Sequence, residues 1–271
     1  MSDTPAYAES TIAGVPVRSY GSGSSGSGSS GSSARTLVWM HGGGFMAGDL
    51  AMPEADVVAR ELVKRAGVSV VSVGYRLAPY PAGLDDVVAV ASLVSRESGP
   101  VVLGGTSAGG NLALAAALRL RDAGTTTAGL VLAYPYLHRH NPPAPPALEE
   151  RMAALPESAR FSAAKMTAMA TFYLGPLADD PPAYAYPGSA AAASLDFGGL
   201  PPTLVIGAGD DDLLPSALDA AERLRAAAVP VTEYLEPGVP HGHLNTAGGP
   251  GADDTLSVIA EFLRDLPPMA G

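Results

Sequence analysis

The sequence of 271 residues contains no cysteine. This absence excludes disulfide bonds, thiolate zinc sites, iron–sulfur clusters and a cysteine nucleophile. Lysine is almost missing as well, since Lys64 and Lys165 are the only two. The 16 Lys+Arg against 27 Asp+Glu give a formal net charge of −11. Because binding to a phosphate backbone needs a basic surface, this charge argues against nucleic acid as a partner.

Long apolar runs are also missing from the sequence. No run reaches the roughly 20 residues that a helix needs to cross a bilayer. The first residues hold neither a basic nor an apolar segment, so they do not resemble a secretory signal. We therefore expect a cytoplasmic protein without a membrane partner. With 47% hydrophobic and 16% charged residues, the composition is typical of one domain with a packed core.

Residues 21–33 consist only of glycine and serine. Such a run cannot bury apolar surface, and it is expected to be a flexible coil. It lies between two strand-like segments, 15–20 and 36–40. The sequence therefore predicts a long surface loop inside a hairpin, with no role in chemistry.

Beyond that run, short apolar segments alternate with longer segments of helical periodicity. Most of the predicted strands are nearly all apolar, as in strands that are covered on both faces. The predicted strands span 37–40, 68–73, 101–103, 130–133, 204–206 and 231–235. The predicted helices carry apolar stripes and are rich in Ala, Leu, Arg and Glu; they span 54–66, 84–95, 109–122, 216–227 and 254–266. This alternation predicts an α/β fold, with a mostly parallel central sheet and helices on both faces.

The segment 137–199 interrupts this alternation. It is rich in Pro and Ala and holds two helical pieces, near 149–155 and 162–174. It is too long for an ordinary connection between two elements, so we expect it to pack over one end of the sheet. The functional interpretation is a small inserted cap or lid, and the alternative is an insertion with a purely structural role. Residues 1–271 are then one domain that carries this inserted segment.

The run Gly105-Thr106-Ser107-Ala108-Gly109 directly follows a predicted strand and directly precedes a predicted helix. In that context G-x-S-x-G is the nucleophile elbow, a sharp turn that holds a serine at the tip of the sheet. The flanking glycines are needed because the turn brings the strand and the helix backbones close together. The helix N-terminus beside Ser107 favours developing negative charge. Ser107 is the predicted nucleophile.

The run His41-Gly42-Gly43-Gly44-Phe45 follows another predicted strand. Three consecutive glycines are entropically costly, and they indicate a backbone that must lie open. The amides of Gly43, Gly44 and Ala108 could together bind a substrate oxyanion. No P-loop lysine follows, so the pattern does not favour a nucleotide site. We expect His41 to orient this loop rather than to act as the base.

A serine nucleophile needs a base and an acid further along the chain, in the order serine, acid, histidine. His241 follows the predicted strand 231–235 at the edge of the sheet where Ser107 lies, so it is the predicted base, with His243 as the alternative. His138 and His140 stand beside Pro-rich sequence, and both are expected to be solvated. Three acidic residues follow the strand 204–206, and by position Asp211 is preferred over Asp210 as the acid.

These runs together resemble the hormone-sensitive-lipase-like esterases of the α/β-hydrolase fold. The resemblance covers the chain from about residue 35 and includes the His41 run, Tyr75-Arg76-Leu77-Ala78-Pro79, the Ser107 run extended through Ala113, Leu200-Pro201-Pro202-Thr203-Leu204-Val205, the Asp211 region and His241-Gly242. Three positions depart from the commonest pattern of this family. Thr106 stands where many members have Asp, as it does in the family's other common form of the elbow. Asp212 replaces the usual Pro, and His243 replaces an aromatic residue. The N-terminal half of the cap is short, which implies a more open pocket.

The resemblance implies a serine carboxylesterase that hydrolyses small esters with a short acyl or aryl group through an acyl-enzyme. It implies the triad Ser107, His241 and Asp211, no organic cofactor and no metal. It also implies that Arg76 pairs with Asp85 or Asp86. Two alternatives stay open: an amidase, lactonase or formamidase that uses the same triad, and a non-catalytic binding protein on this fold. The partner is a small-molecule ester, and assembly as a homodimer is left open.

Overall fold

The structure is a computed structural model that describes residues 7–21, 35–157, 160–189 and 192–268. The glycine and serine positions 22–33 lie outside the described residues, and only Gly21 of that run is described. Within the described ranges, eight strands form one sheet in the order β1-β2-β4-β3-β5-β6-β7-β8. The strands are β1 Tyr7–Ile12, β2 Val15–Tyr20, β3 Thr36–Met40, β4 Ser69–Val73, β5 Val102–Thr106, β6 Gly129–Ala133, β7 Thr203–Asp210 and β8 Val231–Pro240.

The sheet is parallel from β4 to β8 and antiparallel at its β1 edge. Strands β3 to β8 pair in parallel, whereas β2 pairs antiparallel with both β1 and β4. All five residues of β3, β5 and β6 are buried. A strand that is covered on both faces by crossover helices has this uniform burial, which confirms the predicted α/β fold with a mostly parallel sheet.

The predicted hairpin between 15–20 and 36–40 is wrong. Strand β2 forms its hairpin with β1 through Ala13 and Gly14, and β4 lies between β2 and β3 in the sheet. The prediction failed because neighbouring position in the sequence does not fix which strands pair in a mixed sheet. Strand β1 was not predicted at all, since its side chains are mostly exposed and give no apolar pattern.

Seven α-helices are present in the described ranges: α1 Pro53–Ala66, α2 Ala82–Ser98, α3 Ala108–Asp122, α4 Pro146–Ala153, α5 Ala163–Leu174, α6 Leu214–Ala226 and α7 Ala252–Asp265. Helices α1 and α7 bury their apolar stripes on one face of the sheet, where Leu62 and Ile259 belong to one core cluster. Helices α2, α3 and α6 pack on the other face, where Val90, Leu114 and Ala221 belong to a second cluster. No helix among the described residues is both long and apolar enough to cross a membrane.

Segment 137–199 contains α4 and α5, close to the two predicted helical pieces. It is tied to the carboxyl end of β7, where Arg151 donates to the Gly209 carbonyl at 3.0 Å. It also contacts the turn after β3, where the rings of Phe45 and Tyr173 stack at 3.7 Å. Both contacts lie at the carboxyl ends of parallel strands, so the segment lies over that edge of the sheet. Elsewhere, Arg76 pairs with Asp86 at 2.7 Å, one of the two partners that were expected.

Candidate active site

Ser107 occupies the turn between β5 and α3 in a strained backbone conformation. Its φ is 51° and its ψ is −115°, which is unusual for a residue with a side chain. The turn is fixed from both sides, since the Ser107 amide donates to the Ala133 carbonyl at 2.9 Å and the Ser107 carbonyl accepts from the Tyr136 amide at 3.0 Å. The serine is therefore held rigidly at the N-terminus of α3, as the motif predicts.

The glycines on either side of Ser107 are required by close backbone contacts. A Cβ at Gly105 would lie 2.5 Å from the backbone of Gly109. A Cβ at Gly109 would collide with the carbonyl oxygens of Met40 and His41, at the end of β3. The elbow thus packs directly against the strand that carries the glycine-rich turn, so the two sequence motifs lie side by side.

The structure brings Ser107, His241 and Asp211 into one hydrogen-bonded chain. His241 Nε2 lies 2.9 Å from Ser107 Oγ. On the other side of the ring, Nδ1 lies 2.7 Å from Asp211 Oδ2. The second carboxylate oxygen, Oδ1, accepts from the Leu213 amide at 2.8 Å, and this contact orients the carboxylate. The geometry matches the arrangement of nucleophile, base and acid in serine hydrolases.

The surroundings of His241 raise its pKa above the usual value. Burial acts to lower the pKa, but the charge of Asp211 and its hydrogen bond act the other way, and the charges of Glu54 and Asp212 add to them. The imidazolium that forms when the histidine takes a proton is therefore stabilised. Phe161 and Tyr134 flank the ring, with centroids 4.4 and 5.1 Å from it.

The remaining histidines occupy other places. His41 is buried and stacks on Tyr75 at 4.5 Å, with Nδ1 2.7 Å from the Gly42 carbonyl, as expected for a residue that orients the loop. His243 is buried, with Nε2 2.9 Å from Thr255 Oγ1, and burial lowers its pKa to about 4. His140 is exposed, as predicted. His138 is buried with 5% of its surface exposed, so the expectation that it is solvated is wrong.

His138 belongs to a second serine–histidine–aspartate contact, which sequence reasoning did not identify. Its Nδ1 lies 2.9 Å from Ser216 Oγ, and its Nε2 lies 3.1 Å from Asp219 Oδ2. Ser216, however, is fully buried in the first turn of α6, and its hydroxyl also accepts from the Leu137 amide at 3.1 Å. The contact therefore ties the start of segment 137–199 to α6. An ester cannot reach this serine.

Three backbone amides near Ser107 have no acceptor among the described residues: those of Gly43, Gly44 and Ala108. Ala108 is the first residue of α3, where helical geometry offers its amide no partner. Gly43 and Gly44 have φ values of 107° and 61°, and a Cβ at Gly43 would collide with the Ala47 carbonyl. Gly43, Gly44 and Ala108 are the residues that were predicted to bind the oxyanion. The turn formed by Gly43 and Gly44 requires glycine at these two positions.

Glu54 connects these parts of the site, and the sequence analysis missed it. The carboxylate is 1% exposed. Its Oε2 accepts from the Gly42 amide at 2.8 Å and from Thr106 Oγ1 at 2.7 Å, so it joins the glycine-rich turn to the end of β5. Its Oε1 accepts from Asn245 Nδ2 at 2.6 Å, in the turn that follows His241. An acidic residue in the first turn of a helix is common, so the sequence does not distinguish Glu54 from a helix-stabilising residue.

A cavity of about 560 Å³ opens over Ser107 and His241. One side of the cavity is formed by Ser107 and His241 together with Gly43, Gly44 and Glu54. Its other wall comes from segment 137–199, with four lining residues: Arg160, Phe161, Lys165 and Met169. A cavity of this size suits a small organic molecule.

The sequence matches that of known proteins over most of its length. The profile of a family described as alpha/beta hydrolase fold matches residues 37–245. Esterase LipI of Mycobacterium tuberculosis is 32% identical over 230 residues, which are 79% of this chain and 67% of LipI. The matched region covers 67% of LipI, 65% of the versiconal hemiacetal acetate esterase of Aspergillus parasiticus and 67% of the carboxylesterase NlhH of Mycobacterium tuberculosis.

Solved structures are similar over almost the whole chain. The hyperthermophilic esterase of the archaeon Pyrobaculum calidifontis has a TM-score of 0.81 and 29% identity, with 96% of this chain and 83% of that one covered. An esterase of the bacterial hormone-sensitive lipase family has a TM-score of 0.80 and 25% identity, with 98% and 86% covered.

Proposed function

The chain belongs to the hormone-sensitive-lipase-like esterases of the α/β-hydrolase fold, and from that premise we propose that it hydrolyses small carboxylic esters through Ser107, His241 and Asp211. The single observation that carries the proposal is the hydrogen-bonded chain of these three side chains at a strained elbow. Family membership supports ester hydrolysis, and the geometry supports the assignment of roles.

In the proposed mechanism, His241 Nε2 takes the proton of Ser107 Oγ as this oxygen attacks the ester carbonyl carbon. The negative charge moves to the carbonyl oxygen, which the amides of Gly43, Gly44 and Ala108 bind. The imidazolium of His241, stabilised by Asp211, returns its proton to the oxygen of the leaving alcohol as the C–O bond breaks. Water then attacks the acyl-serine by the same route and releases the acid.

The cavity supports a small substrate with a short acyl or aryl group. Its volume of about 560 Å³ includes the space over Ser107 that the reacting carbonyl needs. Segment 137–199 supplies one wall, with Met169 close to Gly44, where an added Cβ would lie 2.5 Å from the Met169 sulfur. The segment is therefore proposed to act as the cap of a single domain.

The chain offers a matched pair of serines to test this function. We expect Ser107→Ala to abolish labelling by a fluorophosphonate probe and to lower kcat for p-nitrophenyl acetate by about 10⁴-fold or more. Ser216→Ala removes a serine that also contacts a histidine beside an aspartate, yet it should keep labelling and kcat close to those of the unmodified protein. Labelling or full activity in the Ser107→Ala protein would overturn the proposal.

A further inference from the structure

Asp212 holds two consecutive residues of segment 137–199. Its Oδ1 accepts from Arg160 Nη2 at 3.0 Å, and its Oδ2 accepts from the Phe161 amide at 2.8 Å. The carboxylate is well shielded, with 13% of its side chain exposed, so water competes weakly for these contacts. The residue that follows the proposed triad acid thus fixes the position of Phe161.

Phe161 and Arg160 separate two cavities. Both residues line the cavity over Ser107, and both also line a second cavity of about 460 Å³. The second cavity lies between segment 137–199 and the start of α6, and its apolar walls include Leu148, Met152, Met166 and Pro215. Because Phe161 lines both spaces, we expect the loss of its side chain to open a connection between them.

The chemistry of the site decides which part of an ester meets Phe161. The leaving alcohol takes its proton from His241, so its oxygen and the carbon next to it must lie beside the imidazole. Phe161 packs edge-on against that imidazole, at 4.4 Å between ring centroids and an interplanar angle of 65°. The carbonyl oxygen of the ester is expected to point instead toward the amides of Gly43 and Gly44. Phe161 is therefore the wall on the alcohol side of the ester.

We propose that Phe161 sets the largest alcohol group that the enzyme accepts, and that Asp212 is the positioning residue that holds Phe161 in this place. The inference rests on the proposed esterase function and deepens it, since it assigns the alcohol group of the ester to the space bounded by Phe161. The second cavity then receives a long alkyl chain only when the Phe161 ring is absent or displaced.

The first experiment varies the two halves of the ester separately in Phe161→Ala. One series holds the acyl group constant, from ethyl acetate to octyl acetate, and the other holds the alcohol constant, from ethyl acetate to ethyl octanoate. We expect Phe161→Ala to raise kcat/KM for octyl acetate relative to ethyl acetate by about tenfold or more. The kcat/KM for ethyl octanoate relative to ethyl acetate should change little. Phe161→Tyr, which keeps the ring, should retain the selectivity of the unmodified protein.

The second experiment tests the role of Asp212 with a control two residues earlier, at the end of β7. Asp212→Asn should shift the alcohol selectivity in the same direction as Phe161→Ala, by a smaller factor. Asp210→Asn removes a neighbouring carboxylate that also pairs with the segment, through Arg151 at 3.1 Å, and it should leave the selectivity unchanged. If Asp212 acts through Phe161, Asp212→Asn has no further effect on selectivity in the Phe161→Ala protein.

The outcomes separate this inference from the function on which it rests. A protein that neither hydrolyses ethyl acetate nor labels at Ser107 would refute the esterase function itself. An active enzyme whose Phe161→Ala variant gains on the acyl series, or on neither series, would overturn the role of Phe161. Equal shifts in Asp212→Asn and Asp210→Asn would overturn the role of Asp212. Phe161→Leu serves if the alanine variant does not fold, with a smaller gain expected.

Discussion

At the scale of single residues, two serines show how the surroundings of the proposed nucleophile differ from those of a structural serine. Ser107 and Ser216 each contact a histidine that contacts an aspartate, at similar distances. Only Ser107 lies at a strained turn beside amides that have no acceptor among the described residues. Ser216 is enclosed in α6, where its hydroxyl already accepts a backbone hydrogen bond. The accessibility of the serine and the presence beside it of amides without an acceptor in the described part of the chain, rather than the contact with histidine, distinguish the two.

Glu54 gives the prediction that belongs to this scale. Its carboxylate accepts from the Gly42 amide, directly before the turn of Gly43 and Gly44 that we propose to bind the oxyanion, here called the oxyanion turn. Its charge also raises the pKa of His241. We expect Glu54→Gln to lower kcat for p-nitrophenyl acetate by about tenfold to a hundredfold, since misaligned amides lose part of their oxyanion stabilisation. The acidic limb of the kcat/KM profile should move to lower pH, because His241 loses a nearby negative charge.

The matched control for Glu54 is Glu61, which lies on the same helix. Glu61 pairs with Lys64 and Arg65 away from the site, so Glu61→Gln should leave both kcat and the pH profile unchanged. Identical kinetics in the two variants would show that Glu54 does not position the oxyanion turn.

The three residues of the proposed triad could be singled out from the sequence, whereas Glu54 could not. Ser107 and the glycines around it form a local motif, because the tight turn restricts which residues fit. His241 and Asp211 follow from the order of strands and from resemblance. Glu54 acts through contacts with residues that are distant along the chain, Thr106 and Asn245, and no local pattern records such contacts.

At the scale of elements, helix α5 supports the oxyanion turn. Tyr173 of α5 stacks on Phe45, which follows the turn glycines and has a φ of 67°. The Tyr173 ring is buried, and its hydroxyl has no hydrogen-bond partner among the described residues. The contribution of Tyr173 therefore comes from the ring and not from the hydroxyl.

A pair of substitutions at Tyr173 tests this support. Tyr173→Ala should lower the free energy of unfolding by about 3–5 kcal/mol, as for other buried aromatic residues, and should lower kcat because Phe45 loses its stacking partner. Tyr173→Phe keeps the ring and should match the unmodified protein in both. Urea unfolding and steady-state kinetics measure the two effects. A Tyr173→Ala protein with lower stability but unchanged kcat would limit α5 to a structural role.

The elements themselves were predictable to different degrees. The buried strands and the amphipathic helices were predicted within a few residues, because burial on both faces or along one stripe leaves a clear apolar pattern. The antiparallel edge was not predicted, since β1 is mostly exposed and the pairing of β2 with β4 depends on contacts across the whole fold. The homodimer and the cytoplasmic location stay predictions.

At the scale of the whole molecule, acid stability depends on histidines that are buried without charge. Burial lowers the pKa of His41, His138 and His243, and His243 falls to about 4. Between that value and the unfolded pKa of about 6.5, the unfolded chain binds protons that the folded chain does not. These three histidines therefore destabilise the fold as the pH falls below about 6.5. His241, whose pKa is raised, acts in the opposite direction.

The effect of one histidine can be isolated by comparing His243→Gln with the unmodified protein. Glutamine can still donate to Thr255 but does not titrate, and the carboxylates contribute equally to both proteins, so they cancel in the difference. Between pH 7.5 and pH 5, the unmodified protein should lose about 2 kcal/mol more free energy of unfolding than the variant. Urea unfolding at the two pH values measures this difference. The same pH dependence in both proteins would mean that His243 takes up its proton equally in the folded and the unfolded chain, so that its burial contributes nothing to acid sensitivity.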